Sequence, residues 1–340
     1  MEAIQDRPVR VIVTSRITLI DKADIPPGAT IIHLEEFDEN QGNKWVGIWN
    51  RANRSYFAQA NVEAFKLPTA DKITPSSKQP LLLLMLALYD SDGNQLRKSE
   101  GMDQTILYNS LLLRFIERER MKDEEFRSQK RRDRDMEINR DMQRLGVAAM
   151  GMFNRRTLHI LADQLNNDLE FFDLERVVRE SAGVPLSQAD ILLGGFFFVH
   201  ESKSAQRSGA PGEHGVQSAF EFLHNTFGEF LTADFILRKV LNETKLLDAL
   251  QQNEALKPQV IQRLNNPDGF PPDWFACLMF TPLYTRPVVL EMLREWAGHS
   301  LKSAKRKNEE FLENFDTILS LKVTQKRRLR HPFFVATNRF

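Results

Sequence analysis

Eight consecutive apolar residues, Leu81 to Leu88, follow Gln79-Pro80 and run into Tyr89. A membrane span needs roughly 20 such residues, so this run is far too short to cross a bilayer. A proline is tolerated in the first turn of a helix, where its missing N–H costs nothing. The pattern therefore predicts a helix that starts at Pro80, is apolar nearly all round, and is wrapped by other elements. Candidates for the wrapping lie on both sides. Trp45, Ile48, Trp49, Phe57, Val62 and Phe65 fall on helical spacings before it, and Pro68 and Pro75 break that run. After the turn cluster Asp90-Ser91-Asp92-Gly93-Asn94, residues Ile106, Leu107, Leu111, Leu112 and Phe115 begin a long amphipathic helix.

The 340 residues, 42% of them hydrophobic, suffice for about two domains with real cores. Lys and Arg total 46 and so do Asp and Glu, so no global field draws the molecule to nucleic acid or an anionic membrane. Cys277 is the one cysteine, which excludes an intrachain disulfide framework and a cysteine zinc site and fits a reducing, cytoplasmic setting. The start, Met1 to Arg7, is polar and unlike a signal peptide, and no transmembrane segment is expected.

Two short β-rich runs come first. Val9-Arg10-Val11-Ile12-Val13 reads as a buried strand delivering Thr14, Ser15 and Arg16 at its C-terminal end, where ligands of open α/β sheets sit. After Pro26-Pro27-Gly28, Thr30-Ile31-Ile32-His33-Leu34 reads as a neighbouring strand. Two such strands do not make a stable sheet, so the sheet looks incomplete. The acidic stretch Glu35-Glu36-Phe37-Asp38-Glu39 is read as the opening of the next helix, with Phe37 as a core anchor.

Further on, Leu174 to Ser181 and Ser187 to Leu193 suggest short helices around the turn Gly183-Val184-Pro185. A strand at Phe196 to His200 follows, then a loop from Ser202 to Gly215, and a second strand at Ser218 to Leu223. Helix, turn, helix and hairpin is the order of a winged helix. Thr226-Phe227-Gly228-Glu229 offers a capping box for the helix whose stripe is Phe227, Phe230, Leu231, Phe235, Ile236 and Val240. Beyond Leu241 the pattern is of shorter helices without a fixed repeat, such as begin an α-solenoid, and the end is basic at Lys322, Lys326, Arg327, Arg328, Arg330 and His331.

From Glu117 to Arg144 about two residues in three are charged, with signs mixed, which reads as a solvated helix face and a poor phosphate magnet. No P-loop, dinucleotide fingerprint, zincin motif, nucleophile elbow or EF-hand occurs, and the seven histidines show no metal-ligand spacing. No catalytic residues and no metal ligands are assigned.

Taken in order, Val11 to Arg16, Leu34 to Trp49, Gln79-Pro80-Leu81-Leu82-Leu83 and Phe222 to Phe230 resemble the second half of a NACHT-type STAND NTPase. These are the regulatory ATPases of innate-immunity receptors and bacterial anti-phage defence systems. The resemblance covers residues 8–240, and its most specific part is Phe222-Leu223-His224-Asn225-Thr226-Phe227-Gly228-Glu229-Phe230. It implies a mainly α protein with residual α/β strands: the end of an NTPase sheet at 1–37, a helical domain at 38–165, a winged-helix domain at 166–240 and a helical sensor region at 241–340. It also implies nucleotide contacts. Arg16, with Ser15 and Thr14, takes the place of the γ-phosphate sensor, where the residues alone also allow a surface arginine closing a strand. Pro80 takes the place of the proline that packs on adenine, or is simply a first-turn proline. His224, at a helix N-terminus, takes the place of the histidine that holds the β-phosphate of ADP.

The departure from that family is large: the phosphate-cradling loop with its lysine and the Mg-binding acid are absent. The expectation is of a fragment, split subunit or decayed gene product that binds ADP or ATP, with Mg, only when a P-loop half is supplied in cis or in trans. Alone, it takes no cofactor. Its other implied partners are a protein trigger ligand and further copies of itself on activation. Two alternatives remain at this stage. One is a winged-helix nucleic-acid module with a basic tail, disfavoured because Ser187 to Leu193 carries no basic residue. The other is a degenerate interaction scaffold.

Overall fold

The computed structural model describes residues 25–68, 74–98, 103–174, 196, 198–207, 214–251 and 285–305, with isolated positions 12, 253, 255 and 258. Apart from Ile12, the strand read at Val9 to Val13 lies outside the described residues, as do the short helices read between 175 and 195 and the basic end. What is described is mainly helical, with one small antiparallel sheet.

The segment from Ile25 turns at Pro27-Gly28, where the Ala29 N–H donates to the Pro26 carbonyl at 3.1 Å, and leads without helix or strand to Asp38, which caps helix α1 (Glu39–Ala52). Asp38 Oδ1 accepts the Gln41 N–H at 2.7 Å, and the Gln41 side chain reaches back to the Asp38 N–H at 3.0 Å. Phe37 packs against the core, as its position in the sequence suggests. Thr30 to Leu34 differs from the expected strand. It forms no ladder among the described residues, and Ile31, Ile32 and Leu34 are 63%, 78% and 87% exposed.

After α2 (Arg54–Ala60) and the single turn α3 (Thr74–Ser77) comes α4 (Pro80–Asp90), with Pro80 in its first turn. Leu82, Leu83, Met85, Leu86 and Ala87 are almost fully buried. Each large side chain so buried contributes about 1.5–3 kcal/mol of transfer free energy, which is why the helix forms without a side-chain cap. The short α5 (Gln95–Lys98) leads to α6 (Gln104–Arg120), whose Leu107, Leu111, Leu112 and Ile116 face the same core.

The charged run folds into the end of α6, then α7 (Glu124–Ser128) and α8 (Arg131–Arg155). Much of it is solvated, but three members are not. Asp141 accepts from Arg120 Nη2 at 2.8 Å and Arg144 Nη1 at 2.7 Å, and Arg144 Nε donates to the Leu174 carbonyl at 2.7 Å. All three side chains are buried because the two guanidinium groups satisfy the carboxylate from both sides.

Strand β1 (His159–Leu161) and helix α9 (Ala162–Phe171) follow, then β2 (Val199–Arg207) and β3 (His214–Phe222). The hairpin runs well past the two strands read from sequence: its pairing continues from Val199 with Phe222 to Arg207 with His214, taking up much of the expected loop. Strand order is β1-β3-β2, with His159 opposite Glu221 and Leu161 opposite Ala219.

Helix α10 (Asn225–Gln251) crosses α8 so closely that a Cβ on Gly146 would lie 2.9 Å from Phe235 Cδ2. Helix α11 (Pro287–Lys305) then packs on α10, with the Trp296 ring 5.9 Å from that of Phe230 and Val289 and Met292 buried. One continuous apolar core joins α4, α6, α8, the sheet, α10 and α11. Among the described residues, no helix is long and apolar enough to cross a membrane.

Candidate functional site

Two of the residues singled out from sequence, Pro80 and His224, fall at one place. Each sits at a junction that the fold fixes. The Phe37 N–H donates to the Lys78 carbonyl at 2.7 Å and lays the N-terminal segment beside the turn that precedes α4. Gln79 occupies the N-cap position of α4 with extended backbone (φ −97°, ψ 123°), and its side chain does not cap the helix. It is therefore available to reach outward. Pro80 next to it is exposed.

His224 closes the sheet and opens α10. The Leu223 N–H donates to the Phe198 carbonyl at 2.8 Å, and the His224 carbonyl accepts the Phe227 N–H at 3.2 Å. The imidazole Nε2 is hydrogen-bonded to Gln79 Oε1, across 145 positions of sequence. Its Nδ1 lies 2.5 Å from Thr226 Oγ1 and 3.4 Å from the Thr226 backbone nitrogen. Thr226 Oγ1 in turn meets the Tyr108 hydroxyl at 2.8 Å, and Gln79 Nε2 donates to Glu36 at 3.0 Å. A chain of polar contacts thus runs from exposed Glu36 through Gln79, His224 and Thr226 to buried Tyr108.

Tyr108 is only 1% exposed, with its ring edge-on to Phe227 at 5.3 Å. Burial pushes its hydroxyl pKa up, the hydroxyls of Thr226 and nearby Ser76 pull it partly back, and the Glu229 charge adds to the rise. The hydroxyl is therefore a neutral group in this network.

The structure corrects the expected capping box. The Thr226 hydroxyl is taken by His224 and Tyr108, and the imidazole at position 224 meets the Thr226 N–H instead. Glu229 does not turn back to the helix start as a cap; it lines a small cleft of about 30 Å³ with Phe153, Thr157, Phe222, Arg286 and Val289. Burial pushes the Glu229 carboxyl up, and the positive charge of Arg286 offsets part of that rise. The cleft has room for a water.

Thr14, Ser15 and Arg16 lie outside the described residues. Sequence reasoning missed Gln79, Glu36, Thr226 and Tyr108 as members of the site. Only the adjacency of Gln79 to Pro80 could have pointed to one of them. Among the described residues, no group of three or more His, Cys, Asp or Glu side chains is arranged to hold a metal ion. No protein-family model matches the chain, and no curated protein or solved structure matches it either.

Proposed function

We propose that the chain is the regulatory part of a signal-transducing STAND ATPase of the NACHT type, closing on ADP or ATP bound by a P-loop half. The observation that carries this reading is the contact between Gln79 and His224. It ties His224, at the wing-to-helix junction, to the residue directly before Pro80 on the helical region, the other described position that the resemblance assigns to nucleotide.

The residues present fit one side of a nucleotide. Pro80 exposes an apolar ring face suited to a planar base, and His224 stands at the N-terminus of the 27-residue helix α10, where the helix dipole favours an anion. The P-loop half would supply the phosphate cradle and the Mg site, and the bound nucleotide would supply the phosphate charge that the two regions close upon. In this scheme His224 donates to a phosphate oxygen, Pro80 excludes water from the base, and the core between α4 and α10 carries the closure.

Two further observations support the reading. The sheet order β1-β3-β2, with α8 and α9 flanking β1 and a hairpin leading into α10, suits a winged helix. The exposed Ile31, Ile32 and Leu34 are an uncovered apolar run of the kind that a neighbouring α/β sheet would take up as a strand. The reading places the protein in the cytoplasm, with a protein trigger and self-association on activation.

The test is calorimetric titration of ADP into the chain combined with a P-loop half, with and without His224→Ala. Loss of a hydrogen bond to a charged group costs about 1.5–3 kcal/mol, so affinity is expected to fall at least about tenfold. Absence of nucleotide binding in the combination, or unchanged affinity in the variant, would rule the mechanism out.

A further inference from the structure

We propose that Glu36, acting through Gln79, fixes His224 as the neutral tautomer with its proton on Nε2. The argument uses only which groups can donate and which can accept, and it does not depend on the nucleotide reading. An ionised carboxylate accepts and never donates. The edge of the Gln79 amide that faces Glu36 at 3.0 Å is therefore its NH2 group, which turns the carbonyl Oε1 toward His224. A carbonyl also only accepts, so Nε2 of the imidazole must bring the hydrogen.

The opposite side of the ring gives the same answer. A backbone N–H can only donate, and that of Thr226 points at Nδ1 from 3.4 Å, beside the Thr226 hydroxyl at 2.5 Å. The one fixed donor facing Nδ1 thus favours a lone pair there, but at 3.4 Å it is a long contact that does not hold the tautomer without Gln79 and Glu36. With Nδ1 as acceptor, the Thr226 hydroxyl donates to it and accepts from Tyr108 at 2.8 Å. Donation then runs in one direction along the whole chain, from the Tyr108 hydroxyl to the Glu36 carboxylate. Glu36 and Gln79 are positioning residues: they act on His224 and leave it offering one N–H. A ligand that takes the place of the Gln79 carbonyl has to bring an acceptor oxygen, as a phosphate or carboxylate does, and an amine is excluded.

The tautomer is read directly from long-range proton–nitrogen correlation spectra of the imidazole rings in the full 340-residue chain at neutral pH. The His224 signals are identified by their loss in His224→Gln. The wild type is expected to show a protonated Nε2 and a bare Nδ1. In Gln79→Leu and in Glu36→Ala, that pattern is expected to give way to one averaged between the two tautomers, with the far-ultraviolet circular dichroism unchanged. Glu36 is exposed, so its variant decides the matter even where Gln79→Leu disturbs folding. A bare Nε2, an averaged pattern or a doubly protonated ring in the wild type would overturn the proposal, as would an unchanged pattern in a folded variant of either kind. None of these results depends on nucleotide binding, which the titration above tests separately.

Discussion

The indole N–H of Trp296 donates to Asp234 Oδ1 at 2.8 Å, fastening α11 to a carboxylate that is only 2% exposed. Asp234 Oδ2 is held by Arg238 Nε at 2.5 Å, one turn along α10. Removing the donor in Trp296→Phe leaves half of a buried carboxylate without its partner. The expected loss is about 1–3 kcal/mol, seen as a lower urea midpoint together with faster proteolysis within α11. An unchanged midpoint would mean that the indole contributes packing alone.

Asp141 is the anion between two buried cations. Asp141→Ala removes the carboxylate that Arg120 and Arg144 share and leaves Arg120 only Glu137, 3.7 Å from its Nη2, and removal of one member of such a group costs about 3–5 kcal/mol. Chemical denaturation of this variant is expected to show that loss, whereas Asp135→Ala on the exposed face of the same helix changes little.

Two carboxyls give pH dependence of opposite sign. At Asp103, burial pushes the pKa up, but hydrogen bonds from His299, the Ile106 N–H and Thr105, with the His299 charge, outweigh it and leave the group below its ordinary value. The folded state then holds this proton less tightly than the unfolded chain. Its stabilisation is complete above the unfolded value of about 3.9 and is lost as pH falls through the folded value. Glu229 is raised by burial despite Arg286, so the folded state binds its proton more tightly. Its contribution to stability grows as pH falls from neutral through the raised value and is complete below about 4.3. Urea midpoints measured across the acid range are expected to lose part of the upper slope in Glu229→Gln, the rest coming from Asp90, which burial also raises, and to lose the lower slope in Asp103→Asn.

At Gly146 the steric term opposes the helical one. Gly→Ala in a helix gains about 1 kcal/mol in propensity, yet the new methyl would lie 2.9–3.2 Å from three atoms of Phe235. Overpacking of this kind costs about 1–3 kcal/mol, so Gly146→Ala is expected to be neutral to destabilising. The effect is expected to diminish in the background of Phe235→Leu, a coupling that a double-mutant cycle measures.

The parts of the fold legible in the sequence are those governed by local rules. Pro80 in a first turn, the unbroken apolar run behind it, Phe37 as an anchor and the stripe from Phe227 to Val240 all follow from spacing and composition. Strand β1 did not, since three residues carry no periodicity. The burial of Arg120, Asp141 and Arg144 was hidden in a run that looks uniformly solvated, because a charge inside is marked by its partner and not by its neighbours in sequence. For the same reason the site was half legible. Pro80 and His224 could be named, but the glutamine that joins them and the tyrosine behind them are ordinary residues until the chain has folded. The Thr226 hydroxyl was assigned to a cap by a local motif, and a tertiary contact with Tyr108 claimed it instead.

The middle strand of the sheet is the last of the three to be synthesised. During translation β1 and β2 both wait, each with an open edge, until the chain has passed Phe222. At ordinary elongation rates the wait for β1 is on the order of several seconds, long compared with the formation of a helix. The helices before β1 can be in place by then. The nascent protein therefore carries an unpaired strand on a partly formed core, and a stall between Leu161 and Phe222 would hold it in the form most open to capture by a chaperone or by another unfinished chain.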